Sequence, residues 1–163
     1  MSIRSKYDTM RLMKKELNVG YIRFFHHYVI NKNKEFKIAL RDSLNINIKY
    51  GLLSLVKLLS NGWRMISVED GLLTLEGSND TIITCRTRIG FDLGHLEEIY
   101  IDKQYGHDFT GKNIIDTGMS NGDSSIYFAK NRAKKVIGLE PDVRSYNLAV
   151  RNVQSSLKIK DST

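Results

Sequence analysis

From position 10 onward the apolar residues Met10, Met13, Leu17, Tyr21, Phe24 and Tyr28 recur at spacings of three and four. That period lays them along one stripe of a helix, with Lys14, Lys15 and Arg23 off it. Gly20 interrupts the run at a cost of about 1 kcal/mol relative to Ala, so a break is expected there. Residues 34–40 predict a short second helix, and residues 50–60 a third, closed by Asn61-Gly62. The period then drops from 3.6 to 2. Residues 64–68 and 72–76 predict strands about the turn pair Asp70-Gly71. Residues 81–86 predict a third strand, completing a small antiparallel meander.

Asp92 is placed to cap a helix running through His95 to Ile101, and Tyr105-Gly106-His107 forms a loop. Residues 112–117 carry the apolar pair Ile114-Ile115 and suit a buried parallel strand. A glycine turn follows, then a helix over 124–132 with Ile126, Tyr127 and Ala129 to pack on a sheet, then a strand over 136–140. This is the length of one β–α–β unit. Pro141 opens a last helix to about residue 154, with Asp142 in its first turn, where a carboxylate suits the helix dipole. The fold expected is α/β: N-terminal helices and a β-hairpin or meander over 1–110, then a β–α–β portion over 111–163.

Composition narrows the setting. The chain has 163 residues, 41% of them apolar, with one proline, which is a globular and not a disordered composition. The single cysteine, Cys85, excludes an internal disulfide, and it reads as a half-buried strand residue. Residues 1–17 are charged throughout, unlike a secretory signal, so a cytoplasmic location is expected. The longest apolar run, Leu52 to Leu59, falls far short of the ~20 residues that cross a bilayer. Residues 1–50 hold 11 Lys/Arg against 4 Asp/Glu, whereas residues 51–163 hold 14 of each, so the whole net charge of +7 sits at the N-terminus. A basic segment attracts anionic membrane surfaces or phosphate backbones, but it lacks the aromatic or Arg/Gly repeats that stack on bases. A plain solvated helix face is therefore the first reading of this charge, with peripheral membrane contact through residues 1–50 behind it and nucleic acid last.

Candidate chemistry concentrates in IIDTGMSNGDSS, residues 114–125. Read from Gly118 it spells G-x-S-x-G, a turn that presents a nucleophilic serine in hydrolases. All four histidines, His26, His27, His95 and His107, precede Ser120, so the acid and base cannot follow it in the order that motif requires. Read from Asp116, the same residues form a cofactor turn. Gly118 and Gly122 let the backbone turn tightly beneath a helix N-terminus. Glu140, 22 residues past Gly118 at the end of the next strand, stands where an acid accepts hydrogen bonds from a ribose. The spacing is neither G-x-G-x-x-G nor that of a P-loop. Asp116 and Asp123 oppose a diphosphate and favour a cation, which points to S-adenosylmethionine with its sulfonium and ammonium.

The run from Lys112 to Val153 resembles the start of the methyltransferase domain of the FkbM family, whose usual form is close to D-I-G-A-N-I-G-D-S-S-I-Y-F-A followed by a strand ending in E-P. The likeness covers about residues 93–154 well. It implies a Rossmann-like class I sheet, S-adenosylmethionine as cofactor, and O-methylation of a hydroxyl on a sugar or natural product. Asp116, Gly118, Gly122 and Asp123 match the methionine-side loop, with Met119, Ser120 and Asn121 between them, and Glu140-Pro141 matches the ribose acid. Thr117, Met119, Ser120 and Asn121 depart from the usual residues. No catalytic base is named by the likeness. A sheet of this class has seven strands, so a truncated or split enzyme is expected, with a second chain completing the sheet. A lone β–α–β unit also leaves a bare strand edge and an uncovered apolar face.

His95, Glu97 and Glu98 fit either a carboxylate near the cofactor or an exposed amphipathic helix, and His26-His27 lacks the further ligands of a metal site. The rival from another class is a non-catalytic interaction or scaffold protein with a basic helical N-terminus.

Overall fold

The computed structural model describes Arg11, Lys14, Leu17, residues 36–39 and residues 45–157. Most of the first expected helix, with Gly20 and His26-His27, lies outside them. Of its residues, Arg11, Lys14 and Leu17 are helical, the two cations exposed and Leu17 buried, as the stripe requires. Among the described residues no helix is long and apolar enough to cross a membrane.

Strand β1 (Phe36–Ala39) pairs antiparallel with β2 (Asn45–Ile48), Phe36 opposite Ile48 and Ala39 opposite Asn45. Where the expected helix over 34–40 is described, at 36–39, it is therefore a strand. A segment this short gains little as an isolated helix, whereas the alternation Asn45-Ile46-Asn47-Ile48 buries both isoleucines and offers an edge to pair with. Helix α1 (Leu52–Ser60) buries Leu55, Val56 and Leu58 and closes at Asn61, whose backbone N–H donates to the carbonyls of Lys57 and Leu58.

Strands β3 (Arg64–Glu69), β4 (Leu72–Gly77) and β5 (Thr81–Arg86) form the meander in that order. Asp70 and Gly71 both take positive φ, 36° and 80°, the twist that suits a two-residue hairpin. Leu73, Leu75, Ile83 and Cys85 alternate onto one face and are fully buried. Cys85 is thus a core residue rather than a half-buried one, and burial pushes its thiol well above the usual range, away from reactivity.

Four further elements complete the fold. Helix α2 (Asp92–Tyr100) leads to β6 (Asn113–Thr117), helix α3 (Asp123–Lys130), β7 (Lys135–Leu139) and helix α4 (Val143–Leu157). Strands β6 and β7 pair in parallel, from Asn113 opposite Lys135 to Thr117 opposite Leu139. The expected burial of β6 holds for one face only. Ile114 and Val136 pack beside Tyr127 and Phe128 of α3, while Ile115, Ile137 and Leu139 are 67%, 41% and 51% exposed on the other face.

Two helix starts differ from expectation. Asp92 is the first residue of α2, not its cap, because its carboxylate is drawn to Arg86. Asp142 caps α4 from just outside it: its Oδ2 accepts the Ser145 N–H at 2.9 Å. That bond is the main cause holding the Asp142 carboxyl below the usual range.

Helix α4 also seals the outer edge of β5. Ser156 Oγ accepts the Ile82 N–H at 2.9 Å and donates to the Ile82 carbonyl. Asn152 Oδ1 accepts the Thr84 N–H at 2.8 Å, and its Nδ2 donates to the carbonyls of Thr84 and Asn121 at 3.0 and 2.9 Å. Asp92 Oδ2 takes the next outward N–H, that of Arg86, at 2.8 Å. An edge that would otherwise invite another strand is closed by side chains. Leu58, Leu75, Ile83, Leu96 and Ile126 then share one core, with Val153 of α4 packed against it. The edge-on pairs Trp63–Tyr100 at 5.2 Å and Tyr100–Tyr127 at 5.1 Å continue that contact across α2.

Asn152 is 1% exposed, so truncation strands polar backbone with no water to replace the amide. Asn152→Ala is expected to cost about 3 kcal/mol, from buried groups left unpaired, read as a lowered midpoint in urea at unchanged slope. A loss under about 0.5 kcal/mol, the size of an ordinary surface change, would show that the edge is not held this way.

Candidate functional site

The turn between β6 and α3 is built from positive-φ residues: Gly118 at 75°, Ser120 at 49° and Gly122 at 82°. Gly122 is required twice over, by its φ and because a Cβ there would lie 3.0 Å from the Ala149 Cβ of α4. Ser120 is the one of the three that pays for a left-handed backbone, and it is pinned from both sides. Its N–H donates to Glu140 Oε2 at 2.9 Å, and its Oγ accepts from Arg86 Nη2 at 2.9 Å. The hydroxyl that a hydrolase would offer to a histidine is held by a guanidinium.

The residues singled out from the sequence separate into two groups. Asp116, Gly118, Met119, Ser120 and Asp123 line one cavity of 190 Å³, together with Thr117, Ser124, His95, Glu98 and Tyr105. Asn121, Gly122, Glu140 and Pro141 are not among its lining residues. Glu140 turns back onto the backbone: its two oxygens accept the N–H groups of Ser120 and Asp142, each at 2.9 Å. Two neighbouring grooves are larger, 560 and 450 Å³, the second sharing Met119, but of the three Asp116 and Asp123 line this one. Typical small-molecule sites occupy roughly 300 to 1,000 Å³. At 190 Å³ this cavity lies below that range, with room for a small polar group and not for a whole drug-sized ligand.

Its field is negative. Asp116 Oδ2 accepts from the hydroxyls of Ser124 and Ser125, both at 2.6 Å, which fixes the carboxylate at the end of β6. Asp123 is 3% exposed. One of its oxygens accepts the Ser124 N–H at 2.7 Å, and the other has no partner. Burial, then the charges of Asp92 and Asp116, push its carboxyl up to about 7, against the pull of the Ser124 N–H. Across the cavity the Tyr105 phenol is raised by burial and then by Asp116, Asp123 and Glu98. Among the described residues no group of three or more His, Cys, Asp or Glu side chains could hold a metal ion.

The flanking helix α2 divides its acids. Glu97 is buried and paired with Lys57, whereas His95 and Glu98 reach the cavity. Met119 and Asn121 of the turn are each fixed by their neighbours. Met119 is 6% exposed, its thioether lying over Gly138, where a Cβ would collide with the sulfur. Asn121 is fully buried against β5, its Nδ2 donating to the Thr84 carbonyl at 3.4 Å. Ser120 and Asn121 are thus the residues through which the turn docks on the meander.

Arg86, the centre of that docking, carries no motif that marks it in the sequence. Its guanidinium donates twice to Asp92, at 2.9 and 2.7 Å, and also to Ser145 and Ser120. The signal available was indirect: two consecutive polar residues in the turn, Ser120 and Asn121, imply polar partners elsewhere. No family model, no curated protein and no solved structure matches this chain.

Proposed function

We propose that the chain is an S-adenosylmethionine-dependent methyltransferase of the FkbM type, acting on a hydroxyl of a sugar or natural product, with β6, α3 and β7 as the start of a Rossmann-like sheet. One observation carries this reading: the buried Asp123 carboxyl, with an oxygen lacking any partner, in a cavity that it shares with Asp116 and Glu98. A cation there is matched by carboxylates already in place, which lowers the cost of leaving water.

The cofactor, when bound, supplies a methyl group activated by its sulfonium. Asp123 and Asp116 would hold its amino-acid end, and Ser124 and Ser125 keep Asp116 oriented for that task. Glu140 spends one lone pair of each oxygen on the backbone and retains the others for a ribose diol. The chain's contribution to rate is then the fixed placement of cofactor and acceptor. His95 and Glu98 bring an imidazole and a carboxylate to the same cavity. The exposed face of Ile115, Ile137 and Leu139 is where further helices of such a sheet would pack, and further strands would pair at the edges of β6 and β7.

That same uncovered face favours a second reading, a non-catalytic interaction protein in which the parallel pair is scaffold. Calorimetric titration with S-adenosylmethionine separates the two. Saturable heat at one site per chain supports the methyltransferase reading, and its absence at about millimolar ligand, a binding energy near 4 kcal/mol, favours the scaffold.

A further inference from the structure

A groove of 560 Å³ lies between the β3–β4 turn and helix α4. Four arginines line it, Arg86, Arg88, Arg144 and Arg151, and Asp70 is the one acidic residue among its lining. Its apolar surface comes from Leu72, Leu148 and Ile89, the last 56% exposed. We propose that this groove is a binding site for a small phosphorylated molecule, with phosphate on Arg144 and Arg151 and the organic part against Leu72, Ile89 and Leu148.

The arrangement is built from three directions. Positions 144, 148 and 151 follow one stripe of α4, so Arg144 and Arg151 stand two turns apart, roughly 10 Å along the axis. From the opposite side the stem of Arg88 crosses the hairpin at Gly71, where a Cβ would lie 3.3 Å from Arg88 Cδ. Arg86 forms the inner wall, held by Asp92 and Ser145. The Arg144 to Asp142 contact is long at 3.8 Å, and the Arg144 side chain is 87% exposed. Such a contact holds a guanidinium weakly and leaves it able to meet another anion. Guanidinium groups pair with phosphate through planar, two-point hydrogen bonding, which a set of arginines provides and lysines do not.

Size and charge favour a small molecule over a polymer. The volume falls within the range of ligand pockets, and residues 51–163 carry as many acids as bases, so the groove is a local positive site on an otherwise balanced segment. It backs onto the acidic cavity where Arg86 donates to Ser120, with opposite charge on each side. The inference does not depend on what the acidic cavity binds.

The test is calorimetric titration of the whole chain at low salt with inorganic pyrophosphate and with adenosine diphosphate. The exposed double variant Arg144→Gln with Arg151→Gln is compared, its fold checked by circular dichroism. One saturable site is expected, weakened at least about tenfold in the double variant, weakened by added salt, and unchanged by Asp123→Asn. The proposal is overturned by no binding of either probe at about 10 mM, a concentration that detects even very weak sites. Equal binding by the folded double variant overturns it too, as does arginine-dependent binding of polyuridylate or phosphatidylserine vesicles without binding of the small probes.

Discussion

Arg86→Met is expected to lower the unfolding free energy by about 3 to 5 kcal/mol, the cost of removing one partner from a buried ion pair. Asp92 is 2% exposed and loses two of its three hydrogen bonds, keeping only the Arg86 N–H. The methionine refills the volume of the arginine stem, so the loss reports the stranded carboxylate and not a cavity. Adding Asp92→Asn removes that charge, and the double variant is expected to recover a large part of the loss, a coupling of about 1 to 3 kcal/mol. Urea unfolding of the two single variants and the double variant measures it. Simple additivity would mean that Asp92 and Arg86 do not act as a pair. The same substitution releases Ser120 Oγ, so the glycine turn is expected to exchange amide hydrogens faster than in the parent chain.

Acidification from pH 7 to pH 4 is expected to stabilise the fold through Asp123. Its carboxyl titrates near 7 in the folded chain, mainly because it is buried, and near 3.9 once unfolded. Between those values the folded state keeps a proton that the unfolded state has released, so raising pH costs stability across that window. This group contributes its full stabilisation below about 4 and none of it above about 7. About three units correspond to roughly 4 kcal/mol. Asp123→Asn keeps the shape, cannot ionise, and is expected to remove this slope. The comparison is made variant against parent at each pH, because Asp142, whose carboxyl is held low by the Ser145 N–H, loses its contribution as pH falls through its own lower range.

What the sequence revealed, and what it hid, follows from the range of each interaction. The meander was legible because alternation and Asp70-Gly71 are local signals, and strands 64–69, 72–77 and 81–86 fall within a residue of the expected ones. Helix α1 and its Asn61-Gly62 stop were legible for the same reason. Strands β1 and β2 were not, since four residues give a period too little length to declare itself. The glycine turn was visible as a turn with carboxylates at both ends. That Asp116 and Asp123 share a cavity while Glu140 folds back on the Ser120 and Asp142 N–H groups was not visible. Side-chain direction at the end of a strand is decided by neighbours. Most hidden was the seal on β5, where Thr84 and Asn152 meet across 68 positions. No spacing rule reaches that far, and Asn152 within α4 reads as an ordinary helix residue until its partner is known.

Under the proposed function, the buried Asp123 carboxyl welcomes a cation only when ionised. The most direct measurement is the affinity for S-adenosylmethionine between pH 5.5 and 7.5, by calorimetry, in the parent chain and in Asp123→Asn. One site per chain is expected, tightening about tenfold per pH unit below about 7 and levelling above it, as binding displaces the Asp123 proton. The asparagine variant should bind weakly at every pH. Saturable binding that ignores pH and survives Asp123→Asn, or no binding at all, would contradict the account.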